Sequence, residues 1–248
     1  MSDVEVIAIF ALDYTLTKRG TWGRFVWRTV RHRPHLWLLL LFSTLSFQIN
    51  YKRGKIPRGA VKKNMMRWSM QGLSRAKLES LAYDFSVNEV ANGLRPGGVA
   101  ALNYHRSKGH KLVIASAAVD LIVKPIAEAL NIQDFVSTEL AWDENGKLQE
   151  DFASPNCYGQ EKLDRVKALL ETKKDTPRRI YFYSDSKADL PVLEFADVPV
   201  VVDPSEKTRL IAEEKHMENM TEKWDTSGWN IYTNDDYDII EEEDRKRY

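Results

Sequence analysis

Residues 4–10 of the chain read VEVIAIF, and residues 11–16, which follow directly, read ALDYTL. The first segment is apolar and rich in β-branched residues, which is typical of a strand buried on both faces. Three later segments have the same character: KLVIA at residues 111–115, RIYFY at residues 179–183 and VPVVV at residues 198–202. Helical patterns lie between them, at residues 121–130 and 161–170. This alternation predicts an α/β fold with a doubly wound parallel sheet.

A long insertion interrupts the alternation directly after the first strand. Residues 18–92 contain several helical patterns and no convincing strand, and Ser74 is expected to cap one of these helices. We therefore predict a parallel-sheet core formed by residues 1–17 and 93–222, with a helical cap inserted at residues 18–92.

Two smaller features are expected within and after this core. Residues 138–152 have the pattern of a β-hairpin, in which Asn145-Gly146 supplies the positive φ of the turn. From residue 223 onward the chain has no clear periodicity, and residues 241–244 read EEED. Residues 223–248 are therefore predicted to form an acidic, solvent-exposed C-terminal extension.

The composition is that of a soluble globular protein with uneven charge. Of the 248 residues, 43% are hydrophobic and 29% are charged, and the formal net charge is zero. Between Tyr14 and Leu78, however, there is no Asp or Glu, so the predicted cap is basic and attracts anions. The single cysteine, Cys157, excludes an internal disulfide, and the first apolar run is too short for a signal peptide. A cytoplasmic protein is expected.

Polar side chains follow the predicted strands at the points where those strands end. Asp13 follows the first strand, Ser116 the second, and Asp185 and Asp189 the third, while Lys162 lies near the start of an intervening helix. In an open parallel sheet, ligands bind beyond the carboxyl ends of the strands. Carboxylate oxygens suit Mg²⁺, and a hydroxyl and a lysine suit phosphate oxygens. The sequence thus predicts a magnesium-assisted phosphoryl-transfer site.

These four segments resemble the four signature motifs of the haloacid dehalogenase (HAD) superfamily, in their usual order. The first motif normally reads Asp-x-Asp-x-Thr-Leu, whereas residues 11–16 here begin with alanine. The insertion between the first two motifs, and the sequence SDSKADLP at residues 184–191, resemble the phosphoserine-phosphatase-like subfamily. The resemblance spans roughly residues 4–217.

The resemblance implies a role for each motif residue. Position 11 would carry the nucleophile that forms an aspartyl-phosphate, and Asp13 would be the general acid and base and would also bind Mg²⁺. Ser116, Ala117 and Lys162 would hold the phosphoryl oxygens. Asp185 would bind the metal directly, and Asp189 would support the metal site without contacting the ion. Each residue taken singly also has a structural interpretation: Asp13 as a helix N-cap, Ser116 as a strand-end hydroxyl, Lys162 as an exposed lysine, and Asp185 and Asp189 as loop acids. The order of all four motifs along the chain favours the functional interpretation.

Ala11 stands where the resemblance requires the attacking aspartate. Because a methyl group neither attacks phosphorus nor binds a metal, we expect little or no turnover and weakened Mg²⁺ binding. Two explanations are open: an inactivating substitution in an otherwise competent enzyme, or a natural member that binds phosphate esters without catalysis. Retention of the other motif residues favours the first.

An apolar run in the predicted cap bears on the substrate. Residues 36–47 read LWLLLLFSTLSF, which is too short to span a bilayer. Basic residues flank the run on both sides: Arg28, Arg31, Arg33, Lys52, Arg53 and Lys55. Upstream, Trp22, Phe25, Val26 and Val30 have helical spacing. This composition is typical of helices that lie in an anionic membrane interface, and it is equally compatible with the hydrophobic core of a helical cap.

The substrate class therefore has two alternatives. With membrane contact, a phospholipid phosphate is expected, and the apolar cap and the Cys-x-Gly-x-x-Lys pattern ending at Lys162 are similar to bacterial phosphatidylglycerophosphate phosphatases. Such a protein would be cytoplasmic and peripheral on the inner membrane face. Ser116-Ala117-Ala118 replaces the Ser-Gly-Gly of phosphoserine phosphatase, which disfavours an amino-acid phosphate. A soluble sugar or polyol phosphate stays open. Nucleic acid is not expected, because the basic segment lacks spaced aromatic residues.

Overall fold

The structure is a computed structural model that describes residues 4–171, 178–217, 219–221 and 224. Within these residues the strands are β1 (Glu5–Phe10), β2 (Lys111–Val119), β3 (Asp134–Thr138), β4 (Leu140–Trp142), β5 (Leu148–Phe152), β6 (Arg178–Ser184), β7 (Val198–Val202) and β8 (Asn219–Thr221). The helices are α1 (Thr21–Val30), α2 (His35–Lys52), α3 (Arg58–Met70), α4 (Arg75–Asn92), α5 (Pro96–Ser107), α6 (Asp120–Ala129), α7 (Gln160–Glu171), α8 (Leu190–Phe195) and α9 (Glu206–Glu214).

A six-stranded parallel sheet forms the centre of the fold, in the order β3-β2-β1-β6-β7-β8. Successive side chains of a strand point to opposite faces, so Ile7 and Ile9 belong to one hydrophobic cluster and Ala8 and Phe10 to another. Helices α7 to α9 cover the first face, while α5, α6 and the inserted helices cover the second. The predicted α/β architecture with a doubly wound parallel sheet is confirmed.

Strands β2, β3 and β8 differ from the expectation, and β8, at the edge of the sheet, was not predicted. β2 continues past residue 115 to Val119, and its register with β3 shifts between Ala115 and Val119. β3 itself was not predicted, because its sequence, DFVST, is too short and too polar to be distinguished from the start of the hairpin. The hairpin forms from β4 and β5, and Gly146 alone of the predicted pair has a positive φ, 70°.

In chain order, the four helices α1 to α4 follow β1 and precede α5 and β2. The hydroxyl of Ser74 accepts a hydrogen bond from the Lys77 amide over 3.3 Å, which confirms the predicted N-cap of α4. On α1, the apolar face formed by Trp22, Phe25, Val26 and Val30 is buried against the protein. This face belongs to the core, so its inclusion in a membrane-facing surface was wrong.

Trp224 corrects the predicted start of the exposed extension. The indole is fully buried and its Nε1 donates to the carbonyl of Thr15 over 2.6 Å, while the Trp224 carbonyl accepts from the Gly97 amide over 2.9 Å. A large aromatic side chain with a satisfied polar atom is well suited to such a buried position. The rest of the predicted extension lies outside the described residues.

Candidate active site

The candidate site lies where the order of the central strands reverses. β1 lies between β2 and β6 in the sheet. The chain passes from β1 to β2 and β3 on one side, and it returns to form β6 and β7 on the other side. Ligand sites of open α/β sheets form at such switch points. Ala11 extends β1 by one residue, because its amide donates to the carbonyl of Tyr183 in β6 over 2.9 Å. Position 11 therefore lies in the crevice between the two strand ends.

The loop after β1 fixes the side chain of Asp13. The Leu12 carbonyl accepts from the amides of Leu16 and Thr17 over 3.0 and 2.9 Å, which folds the loop into a tight turn. Oδ1 of Asp13 accepts from both the amide and the hydroxyl of Thr21, over 2.8 and 2.7 Å. Because Thr21 is the first residue of α1, the carboxylate is held at the positive end of that helix. The predicted acid and base is thus tied to the first inserted helix.

Asp185, after β6, is joined to the β1 loop by a reciprocal pair of hydrogen bonds. The Thr15 hydroxyl donates to Oδ1 of Asp185 over 3.1 Å and accepts from the Asp185 amide over 3.2 Å. Burial raises the pKa of the Asp185 carboxyl to about 6, although the hydrogen bond from Thr15 opposes this shift. Because burial disfavours the ionised form of Asp185, a bound cation would stabilise that carboxylate.

Lys162 and Asp189 form a buried ion pair. Lys162 Nζ lies 2.6 Å from Oδ1 of Asp189, and both side chains are at most 5% exposed. Oδ2 of Asp189 accepts from the Ser184 hydroxyl over 2.8 Å. Both carboxylate oxygens of Asp189 are therefore engaged, and this geometry suits a residue that positions Lys162 better than one that binds a metal directly.

Ser116 and Ala117 lie in the irregular part of β2. The Ser116 side chain is buried and its Oγ accepts from the Ala118 amide over 3.0 Å. The Ala117 carbonyl accepts from the Thr138 hydroxyl over 3.0 Å, and that hydroxyl in turn accepts from the Cys157 amide over 3.0 Å. The second motif is thereby linked to the loop that leads into α7 and Lys162.

Lys62, on α3, is a site residue that the sequence reasoning missed. Its buried Nζ donates to the Ala117 carbonyl and to Oδ1 of Asn156 over 2.7 Å. Burial lowers the pKa of Lys62 to about 8, and the charge of Asp13 opposes this shift, which places the ammonium within the electrostatic reach of the site. The insertion thus supplies a second cationic side chain, besides Lys162, next to the second and third motifs.

The oxygen donors present fit Mg²⁺ only in part. Among the described residues, no three His, Cys, Asp or Glu side chains are grouped to hold a metal ion. The carboxylates of Asp13 and Asp189 are engaged by Thr21 and Lys162, and Ala11 contributes no donor. Oδ2 of Asp185 and the main-chain carbonyl of Asp13 remain as possible ligands, since only Oδ1 of Asp185 accepts from Thr15. The set lacks the carboxylate that an aspartate at position 11 would supply.

A family model described as haloacid dehalogenase-like hydrolase matches residues 8–194, which is more than half of the chain. The chain belongs to the haloacid dehalogenase-like hydrolase family. This confirms the resemblance at the level of the family. The HAD fold accounts for the position of the β1 and β6 loops at the switch point of the sheet.

The chain is also similar to curated proteins and to solved structures. Protein CicA of Caulobacter vibrioides is 28% identical over 198 residues, covering 79% of this chain and 86% of its own. Histidinol-phosphatase of Neisseria meningitidis is 24% identical over 156 residues, covering 60% of this chain and 70% of its own. A crystal structure of a protein of unknown function from Bordetella pertussis has a TM-score of 0.76 at 22% identity, covering 88% of this chain and 99% of that one. The structural likeness concerns the fold.

Proposed function

We propose that this HAD protein is built as a Mg²⁺-dependent phosphomonoester phosphatase that works through an aspartyl-phosphate, and that the chain with Ala11 binds phosphate esters without turnover. The observation that carries the proposal is the linkage of the four motif segments at one edge of the sheet. The β1 loop contacts Asp185, the β6 loop contacts Lys162, and Ala117 is tied to the loop before α7.

The proposed reaction has two steps when aspartate occupies position 11. A carboxylate oxygen of that aspartate attacks phosphorus, the bond from phosphorus to the alcohol oxygen breaks, and Asp13 donates its proton to the leaving oxygen. Water then attacks the phosphorus of the acyl phosphate, Asp13 accepts a proton from it, and the carboxylate leaves. The contacts of Asp13 with Thr21 hold its carboxyl in position for both transfers.

The remaining side chains bind and orient the phosphoryl group. Ser116 and the Ala117 segment would hold its oxygens, and Lys162, fixed by Asp189, would offset their charge. Mg²⁺ would be held by Asp185, the Asp13 carbonyl and the aspartate at position 11, and it would neutralise charge on the phosphoryl oxygens. Loss of a nucleophile typically removes several orders of magnitude in rate, so Ala11 leaves binding as the expected activity.

For the substrate, we propose a phosphorylated lipid or another phosphate ester at a membrane surface. A cleft of about 620 Å³ between the insertion and the hairpin supports this choice, because Arg58 lines it together with Tyr51, Phe152 and Tyr158. Lys63 also lines the cleft, where it is paired with Asp151. A charged and aromatic cleft suits an anionic headgroup with an apolar remainder. The relative named histidinol-phosphatase favours the alternative, a soluble phosphomonoester.

Ala11→Asp is the deciding variant. With Mg²⁺ and an aryl phosphate, we expect its kcat/KM to exceed that of the chain as written by at least about 10³-fold. Ala11→Asn, which has the same shape without a nucleophilic carboxylate, should stay inert and serves as the matched control. A folded Ala11→Asp protein that is inert on aryl, sugar and phospholipid monoesters would instead support a binding protein. Rates on a phospholipid monoester in mixed micelles and on a sugar phosphate distinguish the two substrate classes.

A further inference from the structure

Helix α2 has no buried residue, although most of its side chains are apolar. The large side chains that are most exposed are Leu38 at 65%, Leu41 at 61%, Phe42 at 66% and Leu45 at 54%. A helix that is hydrophobic all round normally lies in a protein core or in lipid. Since α2 is not in the core of the described protein, the alternative that this run forms the interior of the cap is wrong.

One side of α2 contacts the rest of the molecule. Trp37 Nε1 donates to the Val30 carbonyl over 3.0 Å, and the Ser43 hydroxyl donates to Oδ1 of Asn64 on α3 over 2.6 Å. The outer residues recur at the spacing of one helical face: Leu38, Leu41, Phe42, Leu45 and Ile49. We call this face the α2 ridge.

Positive charge flanks the α2 ridge at both ends. Lys52, Arg53 and Lys55 are exposed at its C-terminal end and have no ion pair with any part of the chain that the structure describes. Beyond its N-terminal end, Trp27 packs on Trp37 with ring centroids 5.1 Å apart. Trp27 also lines a pocket of about 370 Å³ together with Lys18, Arg19 and Arg31. Arg24 and Arg28 line the same pocket, where they are paired with Glu89 and Asp84.

We infer that the α2 ridge lies in the interface of an anionic lipid bilayer. Leu and Phe side chains would enter the boundary between headgroups and acyl chains, and the flanking cations would contact anionic headgroups. We infer a contact along the surface, because the opposite side of α2 is bonded to Val30 and Asn64. Within the described residues no helix is long and apolar enough to cross a membrane. A second copy of the chain suits the ridge less well, because pairing would bring its cationic flanks near those of the partner.

The ridge also lies beside the cleft assigned to the substrate. Tyr51, in the last turn of α2, lines that cleft together with Arg58 and Lys63. Lys62, next to Lys63 on α3, reaches from the same helix to the second motif. If the proposed function holds, a bilayer on the α2 ridge would present lipid phosphates at the mouth of the cleft. The membrane contact itself does not depend on turnover.

Sedimentation with lipid vesicles tests the inference on the full chain as written. We expect binding to vesicles of equal parts phosphatidylglycerol and phosphatidylcholine at low salt, and weaker binding to pure phosphatidylcholine. A Leu41→Ser/Phe42→Ser variant should lose at least about tenfold in affinity, since about 0.8 kcal/mol per buried CH₂ is removed. Val87→Ser, at a residue 49% exposed on α4, is the matched control and should bind normally.

A charge variant tests the second element of the surface. Lys52→Gln/Arg53→Gln/Lys55→Gln should weaken binding to the anionic vesicles on the order of 100-fold at low salt, since each cation contributes about 1 kcal/mol. Folded protein that binds neither vesicle, or that binds unchanged in the double serine variant, overturns the inference. A dimer that the double serine variant abolishes, without vesicle binding, would assign the ridge to a second copy. Because the assay uses the Ala11 chain, its outcome is separate from that of the phosphatase assay.

Discussion

Lys62 Nζ donates a hydrogen bond to Oδ1 of Asn156 over 2.7 Å, and this contact crosses from the inserted helix α3 to the loop that leads into α7. The same ammonium donates to the Ala117 carbonyl next to Ser116. A buried charge requires such partners, because its desolvation is otherwise costly. The pair therefore couples the position of the insertion to the two segments that are proposed to hold phosphate.

Removal of this charge should weaken substrate binding. In the Ala11→Asp background, we expect Lys62→Gln to raise the KM for an aryl phosphate by about tenfold or more, since hydrogen bonds to charged groups contribute about 1.5–3 kcal/mol. Because burial lowers the pKa of Lys62 to about 8, its positive charge is lost as the pH rises through that value. The parent should therefore lose kcat/KM above about pH 8, whereas Lys62→Gln should lack this decline.

Arg67→Gln, at an exposed position on the same helix, serves as the control and should leave KM unchanged. If Lys62→Gln lowers only the melting temperature and leaves KM and the pH profile intact, the residue is structural. Steady-state kinetics between pH 6 and pH 10 separate these outcomes.

The contact between Gly97 and Trp224 should be sensitive to a single added methyl group. A Cβ atom at residue 97 would lie 2.7 Å from Cδ2 of Trp224 and 2.8 Å from its carbonyl oxygen. Overpacking of this kind typically costs about 1–3 kcal/mol, so Gly97→Ala should lower the free energy of unfolding by that amount in urea titrations.

Gly23→Ala provides the comparison, because a Cβ atom on this exposed residue of α1 meets no other atom within 4 Å. Alanine is the better helix former, so this change should be neutral or stabilise the protein by up to about 1 kcal/mol. Equal effects of the two substitutions would show that the Trp224 contact does not form in solution.

His105 should make the stability depend on pH. Its ring is fully buried, with Nε2 2.9 Å from the Tyr183 hydroxyl and Nδ1 2.7 Å from Nδ1 of His110. Burial, with a further contribution from His110, lowers the pKa of His105 from 6.5 to about 3. The unfolded chain then binds more protons than the folded protein between these values, so the stability is complete above about pH 6.5 and decreases as the pH falls.

Titration of His105 should lower the free energy of unfolding by about 1.4 kcal/mol for each pH unit between roughly pH 6 and pH 4. His105→Gln keeps a neutral polar group and removes the titration. Urea unfolding at pH 7 and pH 5 should therefore show a smaller pH-dependent loss in the variant than in the parent. An identical loss in both proteins would mean that His105 titrates normally.

The sequence predicted the central strands because their apolar runs are continuous and bounded by polar loops. β1 and β7 were located within one residue, whereas β3 was missed because five residues with two polar ends carry little periodicity. Asp13 and Asp185 were located because each follows a strand end, where parallel topology brings side chains together. Ser116, by contrast, lies within β2, and Lys162 lies on α7.

Residues that act through tertiary contacts were harder to predict. Lys62 resembles the other lysines of a basic segment, although helical spacing places it on the face of Met66 and Met70, both of which are buried. That pattern, a lysine within an apolar stripe, was the available signal. The exposure of α2 could not be read from composition, because an apolar helix has the same sequence in a core and at a lipid surface.

The indole of Trp224 completes the loop that carries Asp13, since its Nε1 bonds the Thr15 carbonyl two residues further on. Thr15 in the first motif and Trp224, which donates to it, are thus separated by 209 positions in the sequence. During synthesis the loop emerges first, yet it gains this contact only after residue 224 has left the ribosome. Formation of this contact is therefore expected to be one of the later events of folding.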